Sequence, residues 1–267
     1  MKNSIKALLI IIIAFGTYFV FDDMYFKTLR KWLFEITNQL GVSHIVTYLI
    51  SGVPLFMGVL FIGRKTDFFQ NLGLDKSITK GFLFALVCTL PMYIGFSIVF
   101  TFNSEISLNT FLISIVSAGF FEELFFRGFL FGLLFKRTTL GFILSVLFGS
   151  IYFGFLHLYQ STEFAELLGI FLVTFLGSIL FSWVYTEWNF NIWIPVFLHM
   201  LMNLSWELFS VSDNAFGGIY SNVFRLLTVA FIIALTVYYK KKKGKKLEIT
   251  KKTLWLQNTP KFIKNIH

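Results

Sequence analysis

Read for polarity alone, the chain is a series of long apolar runs separated by short polar breaks. The runs fall near residues 7–21, 42–63, 81–102, 109–135, 140–159, 164–186, 190–210 and 219–239. About 20 apolar residues are enough for a helix to cross a hydrocarbon layer roughly 30 Å thick. A lone segment in hydrocarbon can satisfy its backbone only as a helix. The pattern therefore predicts an all-α fold: a polytopic transmembrane bundle of about eight spans. The first run is short, and "MKNSIKALLIIIIAFG" also has the basic start, apolar stretch and Ala14-x-Gly16 of a secretory signal. Because the run continues through "TYFVF" as far as Asp22, it is read as a retained span.

Composition agrees with this solvent. Apolar residues make up 56% of the chain and charged residues 14%, and Phe alone contributes 37 positions. The mean hydropathy is +0.74. Soluble domains carry about 25% charged residues. The distribution of Lys and Arg predicts the orientation, since basic residues stay on the cytoplasmic side. With both termini cytoplasmic, 18 of the 23 basic residues lie inside: Lys2, Lys6, Arg64, Lys65, Lys76, Lys80, Lys136, Arg137 and the ten lysines from Lys240 to Lys264. Only Lys27, Arg30 and Lys31 lie outside.

The net charge of +9 comes largely from the tail beginning "KKKKGKK". It reads as a stop signal that also meets anionic lipid headgroups, and not as a nucleic-acid surface. The single Cys88 sits in an apolar run, which excludes a disulfide within the chain and argues against a catalytic thiol. Residues 1–107 hold the first three spans, 108–208 a core rich in buried polar groups, 209–239 the last span and 240–267 the basic tail.

Polar residues inside spans are costly and are functional candidates by default. "GFFEELFFRGFLFG" (119–132) places Glu122, Glu123 and Arg127 in a wall of phenylalanine. His157 ends "YFGFLH", and "PVFLHMLMN" carries His199 and Asn203. Residues four apart share a helix face, so Glu123 and Arg127 are expected to pair, while Glu122 points about 100° away. Phe153 and His157, and His199 and Asn203, repeat that spacing. Each residue also has a plain structural reading. A lone histidine or asparagine in a span is commonly interhelical glue, and Glu123 with Arg127 is read as a structural pair. Glu207, about 80° around the helix from His199, is read as an interfacial carboxylate beside Trp206. A carboxylate, two imidazoles and an amide on three spans are harder to explain by packing alone.

At these residues the chain resembles the CPBP intramembrane proteases, also called the Abi or type II CAAX-prenyl endopeptidase family. "EELFFR" (Glu122–Arg127) matches the family's E-E-x-x-x-R motif, "FGFLH" (Phe153–His157) its F-x-x-x-H motif and "HMLMN" (His199–Asn203) its H-x-x-x-N motif. The motifs appear in the family's order, on separate spans, within roughly residues 108–208. The resemblance implies hydrolysis of a peptide bond in or beside the membrane. It also implies that Glu122, His157, His199 and Asn203 form the active site, with Glu123, Arg127 and Phe153 completing the motifs.

The chemistry of these side chains is compatible with that implication. Amide hydrolysis needs a base to activate water, and a carboxylate among apolar groups is more basic than one in water. Glu122 suits that role with His157 on the same water, and His199 and Asn203 suit an oxyanion. The same Glu122, His157 and His199 also resemble a His₂Glu zinc set with an open water position. The metal-free route is preferred, with a divalent ion such as zinc left as the alternative.

The expected partners are a membrane-associated peptide or protein substrate and the lipid bilayer. The expected place is the cell membrane, taken as a bacterial plasma membrane. Prenylated C-termini are not expected there, so a peptide or membrane-protein substrate is preferred. Other readings are a non-catalytic bacteriocin-immunity or scaffold protein, and a proton-coupled transporter. The transporter would carry an internal repeat or paired broken spans, and Pro54, Pro91 and Pro195 show no symmetric placement.

Overall fold

The computed structural model describes residues 2–257. Its helices, in chain order, are α1 (Lys2–Thr37), α2 (Leu40–Ser51), α3 (Val53–Ile62), the short α4 (Phe68–Leu72) and α5 (Ile78–Val99). A continuous rod follows: a first turn, α6 (Leu108–Thr110), a π-helix (Phe111–Phe131) and a last segment, α7 (Gly132–Arg137). The rest are α8 (Phe142–Phe155), α9 (Phe164–Glu187), α10 (Trp193–Leu208) and α11 (Ile219–Lys242). No strand occurs among the described residues. Among the described residues seven helical stretches are long and apolar enough to cross a membrane, and the chain is a multi-pass membrane protein of the expected helical class.

The run expected to span near 190–210 is the short one. Helix α10 has 16 residues, about 24 Å at 1.5 Å per residue, less than a bilayer core. It needs no such length because protein surrounds it, and none of its residues is exposed. Trp193 at its start lies against Gly81 at the start of α5. Further along, Tyr93 Oη donates to Leu201 O at 3.0 Å, and the Asn103 N–H donates to Leu208 O at 2.8 Å. The two helices thus run parallel over nearly the whole of α5.

Helix α1 corrects a sequence expectation. The charges from Asp22 to Lys31 were expected to end the first span and open an external loop, yet the helix continues to Thr37. The segment "DDMYFKTLRKWLFEIT" contains no Gly or Pro to break it. It is also held laterally: Phe26 packs on Tyr48 with ring centroids 5.0 Å apart, and Arg30 Nη1 lies 3.4 Å from His44 Nδ1. Helices α2 and α3 meet at Gly52, followed by Pro54 in the first turn of α3, where its missing N–H costs nothing.

Hydrogen bonds sort the connecting segments into two ends. At one end Ser4 Oγ accepts from the Thr139 N–H, Arg137 binds Asn71, Asn191 binds the Ser77 carbonyl and Lys240 pairs with Glu187 at 2.9 Å. At the other, Gln39 binds Asn109, Asn103 meets Leu208 and Gln160 accepts from the Ala215 N–H. The tail folds back at the first end. Glu187 accepts the backbone N–H groups of Glu248 and Ile249. The carbonyls of Thr253, Leu254 and Trp255 take the N–H groups of Phe142, Ile143 and Gly141, which have no partner within α8 itself.

The described residues form four apolar clusters, of which two flank the site. One packs α1 and α3 on its Phe121, Phe125 and Phe129 side. The other joins α5, α9, α10 and α11 through Phe84, Phe181, Leu198 and Ile232. Ser4 and Gln257 both bond Thr139, so the two ends of the described chain lie together. With that end cytoplasmic, as the basic residues predict, reporters fused at Gln70 and Thr250 are expected to read inside and reporters at Glu105, Ser161 and Asn214 outside. An external signal from the Thr250 fusion contradicts the arrangement.

Candidate active site

The site is organised around one close helix contact. A Cβ on Gly119 would come within 3.0 Å of the Met200 backbone nitrogen, so only glycine lets α10 approach the π-helix this closely. One turn on from Gly119, the approach brings His199 Nδ1 to 2.8 Å from Glu123 Oε1. The same carboxylate oxygen lies 3.1 Å from Arg127 Nη1. Glu123 is 0% exposed and Arg127 1%, so the pair expected from sequence is present and sealed from solvent. The guanidinium also lies 4.5 Å from the Phe153 ring centroid and 5.8 Å from that of Phe181. Both rings are within cation–π range.

Sequence reasoning missed the second role of Glu123. A carboxylate only accepts, so the His199 proton on this contact is on Nδ1, and Nε2 is directed away from Glu123. His157 is fixed in the same manner by a different partner. It lies beyond the end of α8, as the residue preceding a short 3₁₀ turn (Leu158–Gln160), where the sequence placed it late in a span. Its Nδ1 donates to the Phe153 carbonyl at 2.7 Å, which again leaves Nε2 for other work. Its ring lies 4.6 Å from that of Phe153. Phe153 therefore contacts both the His157 imidazole and the Arg127 guanidinium.

Glu122 diverges from Glu123, as consecutive helical positions must. It is half-buried, and its Oε2 is sealed with no hydrogen-bond partner among the described residues. It lies within electrostatic reach of Arg127 and His199 on one side and of Tyr18 and Tyr48 on the other. Asn203 shares the π-helix-facing side of α10 with His199, as expected, but its Nδ2 donates to the Ser114 carbonyl at 2.7 Å. That bond ties α10 to the π-helix and leaves one amide N–H. Among the described residues, no hydrogen bond joins any two of Glu122, His157, His199 and Asn203.

The zinc alternative rests on the same three side chains, Glu122, His157 and His199. Among the described residues no three His, Cys, Asp or Glu side chains converge on a point that could hold a metal ion. Both histidines spend Nδ1 on protein acceptors, which leaves each Nε2 free, as it also is in histidines that ligate metals.

One residue escaped sequence reasoning. Tyr18 and Phe26 both face the aromatic cluster at the π-helix, Tyr18 through Phe125 at 5.2 Å and Phe26 through Tyr48. Asp22, midway between them at spacings of four, shares that face, and its Oδ1 is sealed without a partner. The signal was the placement of Asp22 at i+4 from Tyr18, hidden by reading the first charge as the end of a span.

Residues 104–205 match the family model described as type II CAAX prenyl endopeptidase Rce1-like. A curated protein of Bacillus subtilis (strain 168), named "Putative membrane peptidase YdiL", is 32% identical over 92 residues. The aligned stretch is 34% of this chain, and the chain spans about a third of that relative's length (33%). No solved structure matches. The matched stretch contains the rod, both histidines and Asn203, and over it the chain is similar to type II CAAX-prenyl endopeptidase Rce1-like proteins.

The geometry sets Glu123 and Arg127, a sealed ion pair, apart from Glu122. Arg127→Ala would leave Glu123 as a buried carboxylate with only His199, a loss of about 3–5 kcal/mol for a broken buried pair. The expected result is reduced accumulation and a lower Tm in detergent. Normal accumulation and melting, with cleavage alone impaired, would move Arg127 into the chemistry.

Proposed function

We propose that this chain is an intramembrane endopeptidase that hydrolyses a peptide bond of a membrane-associated peptide or protein. The observation that carries the reading is Glu122: a carboxylate in an aromatic wall with one oxygen sealed and unpartnered, within electrostatic reach of His199, whose Nδ1 is tethered to Glu123. Glu123, whose Oε2 is likewise unpartnered, is paired through Oε1 with Arg127 and His199, and Glu122 makes no such ion pair among the described residues. The family-model match over residues 104–205 supports a peptidase, and the matched Bacillus protein is named as a membrane peptidase.

In this mechanism Glu122 takes a proton from water as the water oxygen bonds to the scissile carbonyl carbon. His157 Nε2 holds the same water and orients its lone pair. The carbonyl oxygen becomes an oxyanion, stabilised by His199 Nε2–H and the remaining amide N–H of Asn203. Glu123 keeps the His199 ring oriented and offsets the positive charge of its imidazolium form. Glu122 then returns the proton to the leaving nitrogen as the C–N bond breaks, giving a carboxyl and an amine terminus. Every step uses groups of this chain and water, and none is routed through a metal ion. The basic tail meets anionic headgroups on the cytoplasmic side, and the substrate is a peptide or membrane protein presented within the bilayer.

The test is a quenched-fluorescence peptide library cleaved by the purified protein in detergent. Glu122→Gln is expected to cost about a hundred-fold or more in rate while the protein stays folded. Glu122→Gln with His157→Ala is expected to be scarcely worse than the worse single variant, because groups acting as a unit are non-additive. Multiplicative losses would show that the two do not share a water, and full activity of Glu122→Gln would remove the proposed base.

A further inference from the structure

Asp22 is a charged group that neither the fold nor the proposed hydrolysis uses. Its Oδ1 is sealed without a hydrogen-bond partner, and among the described residues no basic side chain forms an ion pair with it. Asp23, next in the chain, is exposed. A carboxylate that has lost water and gained no counter-charge carries its full desolvation cost.

The place of Asp22 follows from how α1 meets the rod. The two run antiparallel: Ser4 binds Thr139 near one end, Phe15 packs on Phe126 with centroids 5.7 Å apart, and Tyr18 packs on Phe125 at 5.2 Å. Asp22 lies one turn beyond Tyr18 on α1, and Glu122 lies four residues before Phe126 on the rod. Each therefore continues the stripe that faces the other helix, and the two carboxylates stand at one level of the bundle.

Tyrosine fills the ground between them. Tyr18 and Tyr48 are each within electrostatic reach of both Asp22 and Glu122. Tyr48 also stacks on Phe121, the residue before Glu122, with centroids 5.0 Å apart. Tyr18 is 5% exposed, yet its hydroxyl makes no hydrogen bond among the described residues. Carboxylates and the faces of tyrosine rings both attract cations, and a tyrosine oxygen accepts from an ammonium or guanidinium N–H. Arg30, two turns further along α1, lies against His44 instead. An anion here would be repelled by both acids, and a purely apolar group would leave Asp22 Oδ1 and the Tyr18 hydroxyl unpaired.

We propose that Asp22 and Tyr18 form a subsite for a lysine or arginine side chain of the substrate, beside the carboxylate that activates water. The assignment rests on the peptidase reading for its substrate, and Asp22 is its specificity-determining residue. The cation enters between α1 and the rod and settles on Asp22, which brings the adjoining peptide backbone to Glu122.

The experiment separates binding from cleavage. Short fluorescent peptides of Leu, Ala and Phe, N-acetylated and with N-methylated backbones that resist hydrolysis, carry one lysine at each successive position, or norleucine in its place. Fluorescence anisotropy reads their affinity for the full chain in uncharged detergent. At one or more positions lysine is expected to bind about ten-fold more tightly than norleucine, the scale of a hydrogen-bonded charge. Asp22→Asn is expected to abolish that preference and Asp22→Glu to keep it. Should Asp22→Asn fail to fold, Tyr18→Phe, which keeps the ring, is expected to lower the preference several-fold. Equal affinities at every position, absence of all binding included, overturn the proposal, as does a preference that survives a folded Asp22→Asn or, failing that variant, Tyr18→Phe. A gain that comes only from a free N-terminal amine overturns the side-chain assignment. Lysine-selective binding without hydrolysis of the unmethylated peptides would defeat the peptidase reading and leave the cation subsite standing.

Discussion

One carboxylate holds the functional half of this molecule together. Glu123 is fully buried and serves both Arg127, a turn along its own helix, and His199 on a neighbouring helix. A buried charge survives only when its partners replace the water it has lost. Glu123 has three such compensations: a cation, a histidine N–H and, through Arg127, two aromatic faces. Removing any of them exposes the full desolvation cost of the rest. The arrangement of three helices is therefore tied to the ionic state of one side chain.

That dependence explains why the scaffold around it is so closely fitted. Gly119 allows α10 to touch the π-helix, and without that contact His199 would stand too far from Glu123 to bond it. Phe153 supports Arg127 with its ring and His157 with its carbonyl, which couples α8 to the same centre. Asn203 and Ser114 close the contact one turn away. A π-helix, with hydrogen bonds reaching five residues back, is uncommon and is found most often at functional sites. Here it spans the segment that carries both glutamates, and Ser117 Oγ donates to the Leu112 carbonyl five residues earlier.

Much of this was legible in the sequence, for identifiable reasons. The apolar runs gave the helices because hydrocarbon enforces backbone self-satisfaction, and the i,i+4 spacing of Glu123 and Arg127 gave their pairing because it is local. The partners chosen across space were not legible. Nothing in the spacing says that His199 bonds Glu123 and not Glu122, since that depends on how closely two helices approach. His157 lies late in its span, as placed, but that α8 gives way there to a short turn and that its imidazole folds back onto the Phe153 carbonyl were not legible. The charges after Asp22 were read as a loop because charge usually ends a span. The helix persists because neighbouring α2 supplies partners such as His44. The tail read as a stop signal meeting lipid headgroups, and the return of its backbone carbonyls onto the start of α8 was not legible.

The central claim is that Glu123 acts through His199, and a double-mutant cycle on peptide hydrolysis by purified protein measures it directly. The account predicts that His199→Ala lowers the rate by about a hundred-fold. It further predicts that Glu123→Gln lowers the rate in the parent but adds almost nothing in the His199→Ala background. Independent, multiplicative losses, or full activity of Glu123→Gln with a folded protein, would contradict it.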